Sequence, residues 1–121
     1  MKKQFLNKEG LNIDLIGADL SNANLRYVNF YYADLTGANL TNSDLTGANL
    51  RYSNLTNVNL TGAILTNANL KNANLTNVDL TNADLTNTYL RYVDLTNANL
   101  TNADLSYADL TNAKFSKDTN K

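Results

Sequence analysis

The chain has 121 residues, enough for one domain, with a formal net charge of −1 and a hydrophobic fraction of 43%. It contains no Cys, His, Trp or Pro, which excludes disulfides, thiol chemistry and cysteine-ligated iron–sulfur clusters. No stretch approaches the ~18 apolar residues that span a bilayer, and the net charge is too small for a typical nucleic-acid-binding protein.

Residues 1–12 combine three lysines with a short apolar group and are predicted to form an N-terminal cap. Residues 2–8 can form a short amphipathic helix that ends at Gly10 and lays Phe5, Leu6 and Leu11 over the first coil. The apolar group is shorter than a secretory signal requires, so we expect no signal peptide and a cytoplasmic location. The absence of cysteine agrees with that compartment.

Residues 13–117 repeat a unit of five residues 21 times without an insertion. Residues 98–102, for example, read Ala-Asn-Leu-Thr-Asn. The general order is a small residue, Asn or Asp, Leu, Thr or Ser, and then Asn, Gly or Tyr. The third residue is Leu in every unit except those of Phe30 and Phe115. The unit is therefore the element from which the fold must be built.

A period of five fits neither a regular helix nor a straight strand. On an α-helix successive leucines would step round the axis by about 140° and form no stripe. On a strand Ala98 and Leu100 would share a face, but Ala103 would point to the opposite one. A bend in every unit keeps both apolar positions on one side, which predicts a solenoid whose coils cover one another.

The repeated Ala-Asp/Asn-Leu-Thr/Ser-x unit resembles the pentapeptide-repeat family over residues 13–117, about 87% of the chain. The resemblance implies an all-β fold, a right-handed quadrilateral β-helix with four units, hence 20 residues, per coil. About five coils follow, and a rod roughly 25 Å long at a coil spacing of about 4.8 Å. It also implies that the Leu and the small residue of each unit lie inside, and it makes a bacterial source the default.

The first position of the unit contains a few residues larger or more polar than Ala. Ser43, Ser53 and Thr88 place hydroxyls inside, and we expect these to bond to backbone carbonyls. We expect the larger apolar residues to fit by local packing; they are Ile13, Val28, Val58, Val78 and Val93.

The fifth position forms the corner, where Asn and Gly tolerate the positive φ of a type II turn. Tyrosine tolerates a positive φ poorly, so the tyrosine corners are expected to use another turn geometry. These corners are Tyr27, Tyr32, Tyr52, Tyr92 and Tyr107.

The end of the repeat region contains Phe115, a bulkier plug than Leu, followed by a polar tail at residues 118–121. A β-helix has exposed edges that can pair with another chain. The lysines near the C-terminus oppose such pairing, so we favour a monomer, with an end-to-end dimer as the alternative.

Residues 20 apart are expected to lie above one another, which divides the exterior into four faces. Three faces carry mainly Thr and Asn. The fourth carries a series of cations and tyrosines where the other faces have Thr, Asn or Asp, and like charges opposite one another destabilise a sheet. Local conflicts of this kind are typical of functional sites. The residues predicted to bind a partner are Tyr31, Tyr32, Arg51, Tyr52, Lys71, Tyr89, Arg91 and Tyr92.

Two interpretations of this face remain open. In one, the arginines lie along the tyrosines in cation–π contacts and the series only aids solubility. In the other, the face binds a protein, because Tyr and Arg are enriched in the cores of protein interfaces.

The function we predict is a non-enzymatic scaffold for an unknown protein partner. The sequence indicates no catalytic residue, cofactor, metal site or small-molecule substrate, and no direct binding to nucleic acid or a membrane. The family resemblance implies an alternative, a DNA-mimicking protein that binds DNA gyrase. A third hypothesis is ice binding by the regular series of Thr41, Thr61, Thr81 and Thr101. The close match of each unit to one consensus also fits an engineered or recently duplicated sequence.

Overall fold

The structure is a computed structural model that describes residues 13–116. The predicted cap, residues 1–12, and the predicted tail, residues 118–121, lie outside that range. From residue 13 to residue 116 there is no helix and no extended strand; in each unit up to that of Asp94, the second residue forms a single parallel bridge to the residue 20 positions later. The bridges run from Asp14↔Asp34 to Asp94↔Lys114. Four units therefore make one coil, as predicted, and the described part makes just over five coils. None of its residues belongs to a helix that could cross a bilayer.

Backbone hydrogen bonds join each coil to both neighbours. The third and fifth residues of a unit donate to the next coil: the Leu40 N–H to the Asn59 carbonyl at 2.8 Å and the Asn42 N–H to the Thr61 carbonyl at 2.9 Å. The second residue donates to the preceding coil. The first residue of the next unit closes the corner, as Ser43 N–H does to the Leu40 carbonyl at 3.1 Å. Every unit therefore pairs its backbone even though it forms no continuous strand.

The interior is a stack of leucines separated by small residues. Every third-position leucine from Leu35 to Leu90 is at most 1% exposed, and Phe30 is fully buried. Burying one such side chain contributes roughly 1.5–3 kcal/mol before chain entropy is counted. Phe115, which we expected to act as a plug, is 46% exposed.

The inward hydroxyls are only partly paired as expected. Ser53 Oγ donates to the Leu50 carbonyl at 2.6 Å, and Thr88 Oγ1 donates to the Leu85 carbonyl at 2.8 Å. Ser43 is equally buried, yet its Oγ has no hydrogen-bond partner within residues 13–116. The expectation is therefore confirmed for two of the three residues and wrong for Ser43.

The tyrosine corners have the same backbone geometry as the asparagine corners, so the expectation of a different turn was wrong. Tyr27, Tyr32, Tyr52, Tyr92 and Tyr107 have φ between 60° and 62°, within the 58–64° range of the asparagines. A positive φ at this residue, with a hydrogen bond closing the four-residue turn, is the signature of a type II turn.

Hydrogen bonding between coils explains why the tyrosines accept this geometry. The corner N–H must reach the coil above, as the Tyr27 N–H reaches the Thr46 carbonyl at 2.8 Å. A left-handed backbone costs a non-glycine residue roughly 1–2 kcal/mol. Losing the bonds on both sides of the corner would leave several backbone groups unpaired at a larger total cost.

The second and fourth residues of the unit are linked by an Asx turn, which the sequence analysis did not identify. Asn54 Oδ1 accepts hydrogen bonds from the Thr56 N–H at 3.0 Å and from Thr56 Oγ1 at 2.6 Å. The same N–H contact recurs in every unit that has Asn or Asp at the second position. This turn explains why the repeat combines Asn or Asp with Thr or Ser.

Replacing Ser43 by Ala should raise the free energy of unfolding by about 1–2 kcal/mol, because the substitution removes a buried hydroxyl that has no partner. Ala is the commonest residue at the corresponding buried positions, so no packing conflict is expected. The matched control is Ser53→Ala, which removes a paired hydroxyl and should change stability less. Urea unfolding of both variants measures the difference, and an equal change in the two would contradict the prediction.

Replacing Asn54 by Ala should lower the free energy of unfolding by about 1–2 kcal/mol, because the Thr56 N–H and hydroxyl both lose their acceptor. Asn54→Asp keeps an Oδ1 acceptor and should lose much less, apart from a small repulsion with Asp34 in the coil below. Thermal unfolding of the two variants against the parent is the measurement. A similar loss in both would show that the Asx turn is not the cause.

Candidate functional site

The eight residues predicted to bind a partner lie on one face of four successive coils, which we call the tyrosine–basic face. Its register is set by second-position bridges that join Asn29, Asn49, Asn69, Tyr89 and Asp109 in order. The face is defined by Tyr31, Tyr32, Arg51, Tyr52, Lys71, Tyr89, Arg91 and Tyr92.

Three of its tyrosines form an aromatic cluster on two adjacent coils. The rings of Tyr32 and Tyr52 stack with centroids 5.0 Å apart and planes 9° from parallel. Tyr31 meets both edge-on, with centroids 4.7 Å from Tyr32 and 5.9 Å from Tyr52. Offset-stacked and edge-to-face pairs at such distances contribute about 0.5–1.5 kcal/mol beyond their buried area. The cluster therefore holds partly exposed rings in defined positions.

The two arginines of the face turn toward different neighbours. The Arg51 guanidinium lies 5.0 Å from the Tyr31 ring centroid, in the coil below, and its Nε donates to Asn49 Oδ1 at 3.2 Å. Arg91 Nε lies 3.5 Å from Asp109 Oδ2, in the coil above. Both contacts draw the guanidinium groups away from Lys71, which lies between them. The like-charge repulsion expected from the sequence is reduced in this way.

A simple sequence rule accounts for the ion pairs. Arg91 pairs with the residue 18 positions later, and Arg26 does the same with Asp44 at 3.2 Å. The residue 18 positions after Arg51 is Asn69, which has no carboxylate, so Arg51 contacts an aromatic ring instead. The sequence analysis missed this rule, although it follows from a coil of 20 residues.

Charge separates the tyrosine–basic face from the other three. This face contains three cations, Arg51, Lys71 and Arg91, and one carboxylate, Asp109. Within residues 13–116 it therefore carries a charge of +2. Each of the other faces carries −2 over the same residues. The rod therefore has a positive side within an otherwise acidic exterior.

Hydrogen bonds in the Asx turns lower the pKa of several carboxyls below the ordinary 3.8. For Asp79 the largest cause is the Thr81 hydroxyl, followed by the Thr81 N–H; for Asp94 it is the Thr96 hydroxyl, followed by its N–H. Donors favour the charged form, and slight burial opposes them. The pKa values are lowered for the same reason at Asp19, Asp104 and Asp109.

The threonines proposed for ice binding use their hydroxyl protons inside the protein. Thr41, Thr81 and Thr101 each donate to the second residue of their own unit at 2.6 Å. The Thr61 hydroxyl helps to lower the pKa of Asp79 in the next coil. In residues 13–116 no three His, Cys, Asp or Glu side chains lie close enough together to hold a metal ion.

Units of five residues arranged in coils of 20 residues define the class of fold, a β-helical repeat solenoid. The profile of a family described as pentapeptide repeats matches the chain in eight copies over residues 12–42, 43–82 and 79–116. The chain belongs to the pentapeptide-repeat family. Proteins of this family are right-handed β-helices and generally act as non-enzymatic structural or interaction modules.

Three solved pentapeptide-repeat proteins resemble the chain. One from the thylakoid lumen of Arabidopsis thaliana is 31% identical over 83% of this chain and 63% of its own, with a TM-score of 0.62. One from Nostoc PCC 7120 is 31% identical over 72% of this chain and 84% of its own, with a TM-score of 0.61. One from the cyanobacterium Cyanothece 51142 is 29% identical over 86% and 90%, with a TM-score of 0.52.

A further similar structure is QnrB1, a plasmid-mediated fluoroquinolone resistance protein. It is 26% identical over 86% of this chain and 58% of its own, with a TM-score of 0.51. No match was found among curated proteins. One of these relatives comes from a thylakoid lumen, so membership of the family does not by itself determine the compartment.

Acidification should destabilise the rod. A carboxyl whose folded pKa is lowered contributes stability above its unfolded pKa and loses that contribution as the pH falls through its folded pKa. The free energy of unfolding should therefore fall as the pH drops below about 4, because Asp79, Asp94 and the others become protonated.

Urea unfolding between pH 7 and pH 2, followed by circular dichroism, measures this fall. The control is the double variant Asp79→Asn, Asp94→Asn, which keeps both Oδ1 acceptors but cannot titrate there. It should show a shallower fall than the parent. Identical pH profiles for the parent and the double variant would contradict the assignment.

Proposed function

We propose that this protein is a non-enzymatic scaffold that binds another protein through the tyrosine–basic face. The observation that carries the proposal is that face's charge of +2 combined with partly exposed tyrosines, while each other face carries −2. Tyr and Arg are the residue types that most often dominate binding energy at protein interfaces.

The rigidity of the rod supports this function. Successive coils that carry the face are joined to one another by backbone hydrogen bonds of about 3 Å, such as that from the Tyr52 N–H to the Lys71 carbonyl at 3.1 Å. The Tyr31, Tyr32 and Tyr52 rings already contact one another before a partner arrives. Side chains held in this way lose less conformational entropy on binding than free surface side chains.

The competing interpretation assigns the face to solubility alone. The contact of Arg51 with the Tyr31 ring fits that interpretation as well, because a cation–π pair needs no partner protein. What favours binding is the charge pattern: general solubility needs no segregation of cations onto one face and carboxylates onto the others. A variant that moves the cations without changing their number separates the two interpretations.

The decisive variant replaces Arg51, Lys71 and Arg91 together with Thr, the consensus residue at the fourth position. Its free energy of unfolding should stay within about 0.5 kcal/mol of the parent's, because removal of the like charges is offset by loss of the Arg91–Asp109 pair and of the Arg51–Tyr31 contact. It should no longer capture the partner. The measurement is a pull-down from an extract of the source organism, with urea unfolding as the check on folding.

The matched control adds Thr41→Arg, Thr61→Lys and Thr81→Arg to that variant, which restores the net charge but places the cations on the opposite face. Partner capture should stay lost in this control. If capture is unchanged in the first variant, or returns in the second, the tyrosine–basic face is not the binding surface.

Binding of DNA gyrase as a DNA mimic is the second candidate, favoured by the similarity to the fluoroquinolone resistance protein QnrB1. A DNA mimic depends on negative charge, so the variant lacking Arg51, Lys71 and Arg91 should affect gyrase supercoiling at least as strongly as the parent does. Under the first proposal neither protein changes the supercoiling rate. The assay therefore distinguishes the two functions with the same pair of proteins.

A further inference from the structure

The fifth-position column of the tyrosine–basic face is interrupted at one coil. Along the rod the column reads Tyr32, Tyr52, Asn72, Tyr92 and Asn112. The φ angles of the first four are 61°, 60°, 62° and 61°, and each N–H bonds to the next coil at 3.0 or 3.1 Å. Asn72 is therefore in register between two tyrosine coils, with a shorter side chain than theirs.

The spacing of the coils gives this interruption the size of one aromatic ring. Tyr32 and Tyr52, one coil apart, stack with centroids 5.0 Å apart and nearly parallel planes. Tyr52 and Tyr92 are two coils apart, or about 9.6 Å at the usual sheet spacing. A ring inserted over Asn72 would lie about 4.8 Å from the coil of Tyr52 and about 4.8 Å from the coil of Tyr92. That distance is within the range of stacked aromatic pairs.

The cation beside the interruption is available for an anion. Lys71 immediately precedes Asn72, is exposed, and has no ion pair among the described residues. Arg91 is already paired with Asp109, and Arg51 lies over the Tyr31 ring. An anionic group entering next to the ring would therefore meet Lys71 first, on the face that carries the positive charge.

We propose that the interruption at Asn72 receives an aromatic side chain from an acidic segment of the partner, with a neighbouring carboxylate pairing with Lys71. The inference rests on the proposed function and specifies its partner as a polypeptide segment in which Phe, Tyr or Trp lies beside Asp or Glu. Charge complementarity selects acidic segments, and the depth left by the shorter Asn72 side chain selects a planar ring.

The test uses the full chain and a synthetic probe, the peptide acetyl-Asp-Glu-Trp-Glu-Asp-amide. Binding is followed by NMR shifts of the Asn72 side-chain amide and by calorimetry. We expect Asn72→Tyr to weaken binding at least tenfold, because the new ring fills the position of the ligand ring. The variant should fold as the parent does, since five corners already carry Tyr at the same φ.

Two controls isolate the cause. Asn112→Tyr adds the same side chain to the same column, outside the interruption, and should keep the affinity of the parent. The probe with Ala in place of Trp should bind at least tenfold more weakly than the original peptide. Equal binding of the Trp and Ala probes, or of the parent and Asn72→Tyr, would overturn the inference.

Failure of this inference and failure of the proposed function give different results. If Asn72→Tyr retains the partner in the pull-down while the Arg51, Lys71 and Arg91 variant loses it, the ring site is wrong and the binding face stands. If both variants retain the partner, both proposals are wrong. If acidic surfaces of a second copy occupy the face, sedimentation shows self-association that the probe does not displace, and the inference is also overturned.

Discussion

A left-handed corner at every fifth residue is the constraint on which the rest of this structure depends. It turns the chain so that the leucine and the small residue of each unit both point inward, and it aims the corner N–H at the coil above. The two effects require the same backbone angle. Asn and Gly reach that angle easily, whereas tyrosine adopts it at a cost that the hydrogen bonds between coils repay.

Because folding is specified by the inward leucines and the corner geometry, the outward side chain of the fourth position is largely free to vary, and the fifth position accepts Tyr as well as Asn and Gly. Arg51, Tyr52 and Tyr92 show this freedom, since their backbone angles and hydrogen bonds match those of consensus units. A solenoid of this kind can therefore change its surface chemistry one face at a time. The segregation of charge onto one face uses that freedom, and our proposal assigns the resulting positive surface to recognition of an acidic partner.

The second position is less free than its exposure suggests. Its Asn or Asp side chain accepts hydrogen bonds from the fourth residue and so stabilises each corner locally. Ile64 and Tyr89 cannot do this, because neither has an oxygen in the required place. At Tyr89 this loss falls on the tyrosine–basic face, which is where a departure made for function rather than for stability is expected.

The sequence by itself determined that the chain bends in every unit with its apolar pair inward, because a strict period of five fits neither a regular helix nor a straight strand. Its resemblance to the pentapeptide-repeat family implied four units per coil, and the buried set and the membership of each face follow from that number. It also brought together the eight residues of the tyrosine–basic face before any contact was known. The tertiary structure alone decided that Tyr27 and the other tyrosine corners are ordinary, that Ser43 lacks a partner while Ser53 has one, and that Arg51 and Arg91 turn in opposite directions. The Ser53 hydroxyl bonds to the Leu50 carbonyl three residues earlier, whereas Ser43 at the same position of its unit makes no such bond. The tyrosine and arginine outcomes depend on what lies 18 to 20 residues away, in a neighbouring coil, and a period read along the chain does not weigh such contacts against local preference.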